Sequence, residues 1–196
     1  MASTEQIKLL REQTGAGILD CKKALDQFGG DLDKAASWLK EKGLASATKK
    51  SLREAHDGRI EVYSHLGNRM AVLVEVNCET DFVARTPEFK TLAHELALQI
   101  ASSAPEYVRR EDVPAEVLAA KREMYIQEAI SEGKKTEIAE RIATNKLEKF
   151  YTDVCLLEQL FIRDDKVKVS DLIKNTVAAI GENVVVRRVV RYEIGG

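Results

Sequence analysis

The stretch Met70-Ala-Val-Leu-Val-Glu-Val-Asn-Cys78-Glu-Thr80-Asp-Phe-Val-Ala84-Arg-Thr-Pro-Glu-Phe89 changes its hydrophobic period part way along. Val72, Val74 and Val76 fall on one side of an extended chain and Leu73, Glu75 and Asn77 on the other, the alternation of a half-buried strand. Thr86, Pro87 and Glu88 then supply a helix N-cap, a proline at the first helical position and an acid in the first turn. Between the two lies a connection, Glu79 to Arg85, that sets Asp81 beside Phe82. Connections run over the surface, so an aromatic residue there needs a reason. Phe82 is either a plug folded back over the core, as its residue type favours, or a wedge presented to another protein.

Upstream of this stretch, Ile60, Val62, Ser64 and Leu66 alternate with polar or amphipathic residues, and Gly67-Asn68 carries hairpin turn chemistry. An antiparallel hairpin is expected. A two-residue loop would leave the valine face one residue out of step, so a bulge or a longer turn is expected too. Downstream, Phe89, Leu92, Ala93, Leu96 and Ile100 recur at helical spacing and lay one helix face on the sheet, with His94 on the flank as a surface residue.

The chain before Gly58 reads as helical. Ser3 and Gln6 form a capping box ahead of a helix that Gly15-Ala-Gly17 breaks. Ile18, Cys21, Leu25 and Phe28 stripe a second helix that stops at Gly29-Gly30. Asp31 caps a third, with Leu32, Ala35, Ala36 and Leu39 inward, ending at Gly43. Residues 1–43 therefore read as a three-helix bundle, whose pattern resembles the ubiquitin-associated type. Residues 44–57, with the basic cluster Lys49, Lys50 and Arg53, read as a partly helical linker with a solvated charged face. Gly15-Ala-Gly17 lacks the strand and the Lys-Ser/Thr that a phosphate loop needs, so no bound nucleotide is expected.

Residues 58–196 read as an α+β core, an antiparallel sheet backed by helices. Ala115 to Ser131 and a second helix with Ile138, Ile142, Leu147 and Phe150 in line form a helical hairpin about Gly133. Val154 to Ile162 is apolar and β-compatible. Ser170 is expected to cap a helix that ends at Gly181, and Val184 to Ile194 alternates as a last strand whose arginines pair with neighbouring acids.

Composition bounds the function. The chain has 196 residues, 44% hydrophobic and 32% charged, enough for one sizeable core with a small satellite. Thirty basic against 32 acidic residues give a net charge of -2, without the basic excess of a nucleic-acid binder. No apolar run reaches the ~20 residues of a membrane span. The start, Met1-Ala-Ser-Thr-Glu-Gln, lacks signal-peptide character, so a cytoplasmic protein is expected. Cys21, Cys78 and Cys155 show no metal or redox spacing and read as free buried thiols. No metal, cofactor or catalytic residue is expected, because no nucleophile and base stand at a workable spacing.

Asn77-Cys-Glu-Thr-Asp-Phe-Val-Ala84 and Thr14-Gly-Ala-Gly-Ile-Leu-Asp-Cys-Lys-Lys-Ala-Leu25 resemble the two signatures of the translation elongation factor Ts family, in a short form with a single core repeat. The resemblance spans nearly the whole chain. Val154 to Ile162 is similar to a further family segment, with Leu160 where many members have proline. The resemblance implies a guanine-nucleotide exchange factor that binds elongation factor Tu in its GDP-bound and nucleotide-free forms. It implies that Thr80, Asp81, Phe82 and Val83 enter beside the nucleotide site and dislodge its Mg²⁺, and that Arg11, Ile18 and Leu19 dock the N-terminal bundle. For Ile18, packing within the bundle is the competing reading. One core repeat implies a homodimer. The alternative from another class is a ubiquitin-associated-type adaptor without exchange activity, which would leave residues 58–196 without a role.

Overall fold

The computed structural model describes residues 2–65 and 67–195. It is an α+β chain in the order α1 (Thr4–Thr14), α2 (Ile18–Gln27), α3 (Leu32–Lys50), β1 (Asp57–Ser64), β2 (Met70–Cys78), α4 (Asp81–Ala84), α5 (Pro87–Ser103), α6 (Ala115–Ser131), α7 (Thr136–Val154), β3 (Leu160–Phe161), β4 (Asp164–Lys168), α8 (Val169–Ile180) and β5 (Val185–Glu193). The main sheet has the order β1-β2-β5 and is antiparallel, and β3 and β4 form a separate hairpin. The chain divides into two compact units. One comprises the residues up to Glu61 with Val74–Glu95 and Asp171–Arg187; the other comprises Val62–Leu73, Leu96–Ser170 and the residues from Arg188 onward.

In the first unit the bundle forms as its pattern dictates. Ser3 Oγ accepts the Gln6 N–H at 3.1 Å while the Gln6 side chain accepts the Ser3 N–H at 3.0 Å, a reciprocal cap of about 1 kcal/mol. Leu10, Cys21, Ala24, Leu25, Ala35 and Leu39 make the bundle core, and Phe28 meets Trp38 edge-on at 6.3 Å. The third helix does not stop at Gly43. It runs on to Lys50, so much of the expected linker is helix. Gly43 is there for packing, because a Cβ added to it would lie 2.8 Å from the Ala178 methyl on α8. That close approach offsets the ~1 kcal/mol a helical glycine costs against alanine.

Val74, Val76 and Cys78 of β2 and Phe89, Leu92 and Ala93 of α5 are buried in this unit. Gly58 takes a φ of 144°, and a Cβ there would fall 2.1 Å from the Val76 carbonyl oxygen, so only glycine fits where β1 crosses β2. At the other end of the hairpin the turn is longer than two residues. The His65 N–H donates to the Met70 carbonyl at 2.9 Å, and Gly67 and Asn68 both take positive φ. The expectation for Leu66 lies outside the described residues.

In the second unit, α6 and α7 pack through Ile126, Ala129, Ala139 and Ala143, with Ile142 partly buried against them; Ile138, in line with Ile142 on the sequence pattern, is exposed. Small alanines let the two helices approach closely. The apolar run from Val154 is no continuous strand: α7 continues through Val154, Cys155 makes a single parallel bridge with Tyr107, a 3₁₀ turn covers Leu156–Glu158, and the strand is confined to Leu160–Phe161. Buried Gln99 holds this corner, donating to the Gln159 side chain and the Leu160 carbonyl, each at 3.1 Å, and accepting the Ile162 N–H at 2.9 Å. Leu160 therefore opens a strand paired with Lys168. Likewise α8 starts at Val169, so Ser170 is its second residue and not its cap.

The Arg191 Nε–H donates to the Ala101 carbonyl of α5, which places Arg191 on the covered side of β5. Alternation then turns Val190 and Tyr192 outward. Val62 and Leu73 are exposed as well.

Candidate functional site

The connection after β2 is a single helical turn. Thr80, in an extended conformation, caps α4: its Oγ1 accepts the Val83 N–H at 3.4 Å. Ala84 is buried and roots the turn, as does the Cys78 thiol, which donates to the Thr80 carbonyl at 3.2 Å. Two residues are about 200° apart around a helix, so rooting Ala84 inward drives Phe82 outward. Phe82 is 80% exposed. The plug reading fails on this geometry. A phenylalanine this exposed forgoes most of the roughly 1.5–3 kcal/mol that full burial confers, and a partner that covers it recovers that part.

Asp81 stands beside it with its carboxylate engaged, because Arg85, one turn on, donates to it at 2.7 Å. Val83 is half-buried. Thr86 joins the turn to the next helix. Its hydroxyl donates to the Val83 carbonyl at 2.9 Å and accepts the Phe89 N–H at 3.3 Å, the N-cap expected ahead of Pro87. The tip is thus short, acidic and aromatic, and it is held at both ends by side-chain hydrogen bonds.

Sequence reasoning missed the residues that hold it. The Glu182 carboxylate accepts the N–H groups of Glu79 at 3.1 Å and Thr80 at 3.0 Å and the Thr80 hydroxyl at 2.7 Å. In return the Glu79 carboxylate accepts the Asn183 N–H at 2.7 Å and reaches Arg53 at 3.5 Å. The Asn183 side chain donates to the Arg53 carbonyl at 2.7 Å. Because β5 runs antiparallel beside β2, the residues before Val185 lie next to those after Cys78. The one readable signal was Gly181, whose φ of 84° ends α8 and turns Glu182 back.

The N-terminal candidates are also displayed. Ile18 is 59% and Leu19 72% exposed, and Arg11 is exposed on α1. Ile18 does not pack the bundle; Cys21, Ala24 and Leu25 do.

The three thiols are free and buried. Burial first, with Glu182 adding to it, pushes Cys78 up to about 11, and burial with Glu158 does the same for Cys155. Neither is a thiolate near neutrality, and only thiolates attack. Among the described residues no helix is long and apolar enough to cross a membrane.

Comparison with known proteins adds the rest. The family model described as Elongation factor TS matches residues 45–196, and one described as the N-terminal part of mitochondrial elongation factor Ts matches residues 1–47. The chain is 54% identical over 193 residues to an elongation factor Ts of Herpetosiphon aurantiacus, covering 98% of each chain. It is 55% identical over 193 residues to one of Coprothermobacter proteolyticus, again covering 98% of each. Against one of Moorella thermoacetica it is 52% identical over 195 residues, covering 100% of this chain and 96% of the relative. The ubiquitin-associated adaptor reading draws on residues 1–43 alone, whereas these matches run through both halves.

Proposed function

The chain belongs to the elongation factor Ts family of translation elongation factors, and on that premise we propose that it is a guanine-nucleotide exchange factor for elongation factor Tu. Phe82 is the wedge, pushed in beside the bound nucleotide. Asp81 disturbs the electrostatics of the neighbouring Mg²⁺ and phosphate, and Thr80 and Val83 set the turn that presents them. The carrying observation is the 80% exposure of Phe82 on a turn that side-chain hydrogen bonds at Thr80 and Thr86 hold in place. Mg²⁺ offsets the phosphate charge, so displacing it leaves the β-phosphate poorly neutralised and speeds GDP loss.

The action is one of coupling, with no covalent step. A protein that binds nucleotide-free elongation factor Tu more tightly than the GDP form weakens GDP by the same factor. Ordinary couplings are roughly 1–3 kcal/mol, and efficient exchange asks for more. Residues 1–43 would dock through Arg11, Ile18 and Leu19, while residues 58–196 carry the wedge. The place of action under this reading is the cytoplasm.

A homodimer completes the proposal. Val62, Leu73, Val190 and Tyr192 form an exposed apolar set on the uncovered side of the sheet, and such sets mark association surfaces. Light scattering at the concentration of the assay reads the assembly state; a monomer with full activity refutes this part.

The activity itself is tested by following release of a fluorescent GDP analogue from elongation factor Tu with and without the chain. Acceleration that saturates with chain concentration supports the reading. Release at the spontaneous rate refutes it, and in that case a pull-down comparing elongation factor Tu with ubiquitin tests the adaptor reading directly.

A further inference from the structure

Thr80 has one hydroxyl hydrogen, and its hydroxyl oxygen must also accept the Val83 N–H for α4 to be capped. Left to itself the hydroxyl rotates. Glu182 removes that freedom: its Oε1 takes the hydroxyl hydrogen at 2.7 Å, which turns the oxygen's lone pairs toward Val83. Its Oε2 meanwhile collects the two backbone N–H groups that enter the turn, those of Glu79 and Thr80. One carboxylate thus satisfies three donors within two consecutive residues, from a position 102 residues further along the chain. Charge-assisted bonds of this kind are the stronger class.

The brace is reciprocal. Glu79, whose N–H donates to Glu182, accepts the N–H of Asn183, and Asn183 is itself buried and tied to the Arg53 carbonyl. Both set the direction in which α4 leaves the sheet. A four-residue helix has no stability of its own, since helix nucleation is unfavourable and so short a piece has almost nothing to propagate. Its orientation therefore comes from the groups that hold its cap.

We propose that Glu182, with Asn183 and Glu79, is a positioning residue for the exchange tip: it fixes the Thr80 hydroxyl and the backbone on either side so that Phe82 is presented already oriented. The proposal rests on the wedge reading above. Preorganisation of this sort acts on the step made after docking, because a loosened tip still meets its partner but reaches the productive geometry less often.

Three full-length variants decide it: Glu182→Ala, Glu182→Gln and Phe82→Ala. Each is followed by the dependence of GDP release from elongation factor Tu on variant concentration, and by hydrogen exchange at the Thr80 and Val83 amides. Expected for Glu182→Ala is a maximal release rate lower by about tenfold, a half-saturating concentration within about twofold of the parent, and faster exchange at both amides. Glu182→Gln keeps an acceptor for the two backbone donors and recovers part of the rate. Glu182→Ala with the parent's maximal rate or the parent's amide protection overturns the proposal, as does equal loss in Ala and Gln. If Phe82→Ala slows release and Glu182→Ala does not, the brace alone is wrong; if Phe82→Ala releases GDP at the parent rate, the wedge reading fails and the brace with it.

Discussion

Asp81 and Arg85 face each other one turn apart on the exposed tip, the Arg85 guanidinium donating to the Asp81 carboxylate at 2.7 Å. The acid that is proposed to disturb a neighbouring metal site therefore arrives already carrying a cation. Exposed pairs at this spacing contribute only about 0.3–0.5 kcal/mol, so the partner can exchange the counter-ion at little cost. Asp81→Ala is expected to move the unfolding free energy by less than about 0.5 kcal/mol while slowing GDP release from elongation factor Tu. Denaturant unfolding and the release assay measure the two separately; a large loss of stability with unchanged release contradicts the assignment.

The docking proposed for the N-terminal bundle is separable from the action of the tip. Ile18 and Leu19 are exposed at the start of α2, and removing an exposed apolar anchor acts on the bound state alone. Leu19→Ala and Ile18→Ala are each expected to raise the concentration needed for half-maximal exchange by about tenfold, a loss typical of anchor truncation. Arg11→Ala is expected to do so more strongly at low salt than at high. The thermal midpoint should stay at the parent value in all three.

Gly43 tests the packing of α3 on α8. Alanine there gains up to ~1 kcal/mol in helix propensity but sets its methyl 2.8 Å from that of Ala178. Relieving so close a contact costs about 1–3 kcal/mol, so Gly43→Ala is expected to destabilise on balance. The pair Gly43→Ala with Ala178→Gly should recover most of the loss. Equal stability of the single variant and the parent would show that α8 can move aside freely.

Arg110 organises the charges beside α7. It pairs with Glu158 at 2.9 Å and with Glu148 at 2.8 Å, and Lys168 reaches Glu158 at 3.1 Å. The Arg110 guanidinium foremost, then Lys168, holds the Glu158 carboxyl below its ordinary range, burial opposing them. A carboxyl lowered on folding stabilises the fold above its unfolded pKa and loses that contribution as pH falls through the folded one. Glu158→Gln is therefore expected to be less stable than the parent by about 1–3 kcal/mol at neutral pH. The gap should close as the pH drops below the usual glutamate range. A gap that stays constant with pH would assign the effect to packing.

The parts of the fold that rest on neighbours in sequence are legible in the sequence itself. The alternation of Val72, Val74 and Val76, the Ser3–Gln6 box and the Thr86-Pro87 start each depend on a few adjacent residues, and each is where expected. What depended on distant partners was not. Gly43 reads as a stop until Ala178 is seen against it, and Val154 to Ile162 reads as a strand until the Gln99 side chain is seen holding its corner. Residue type alone points Phe82 inward; the phase set by buried Ala84 turns it out. Glu182 carries no motif, and only the adjacency of β2 and β5 brings it to Thr80.

Everything proposed for the tip turns on whether the outward Phe82 ring weakens nucleotide binding in its partner. The most direct test is the release of fluorescent GDP from elongation factor Tu driven by saturating Phe82→Ala. The account predicts a maximal rate at least about tenfold below that of the parent chain, with the unfolding midpoint unchanged, because a side chain this exposed contributes little to its own fold. A maximal rate equal to the parent's would contradict it.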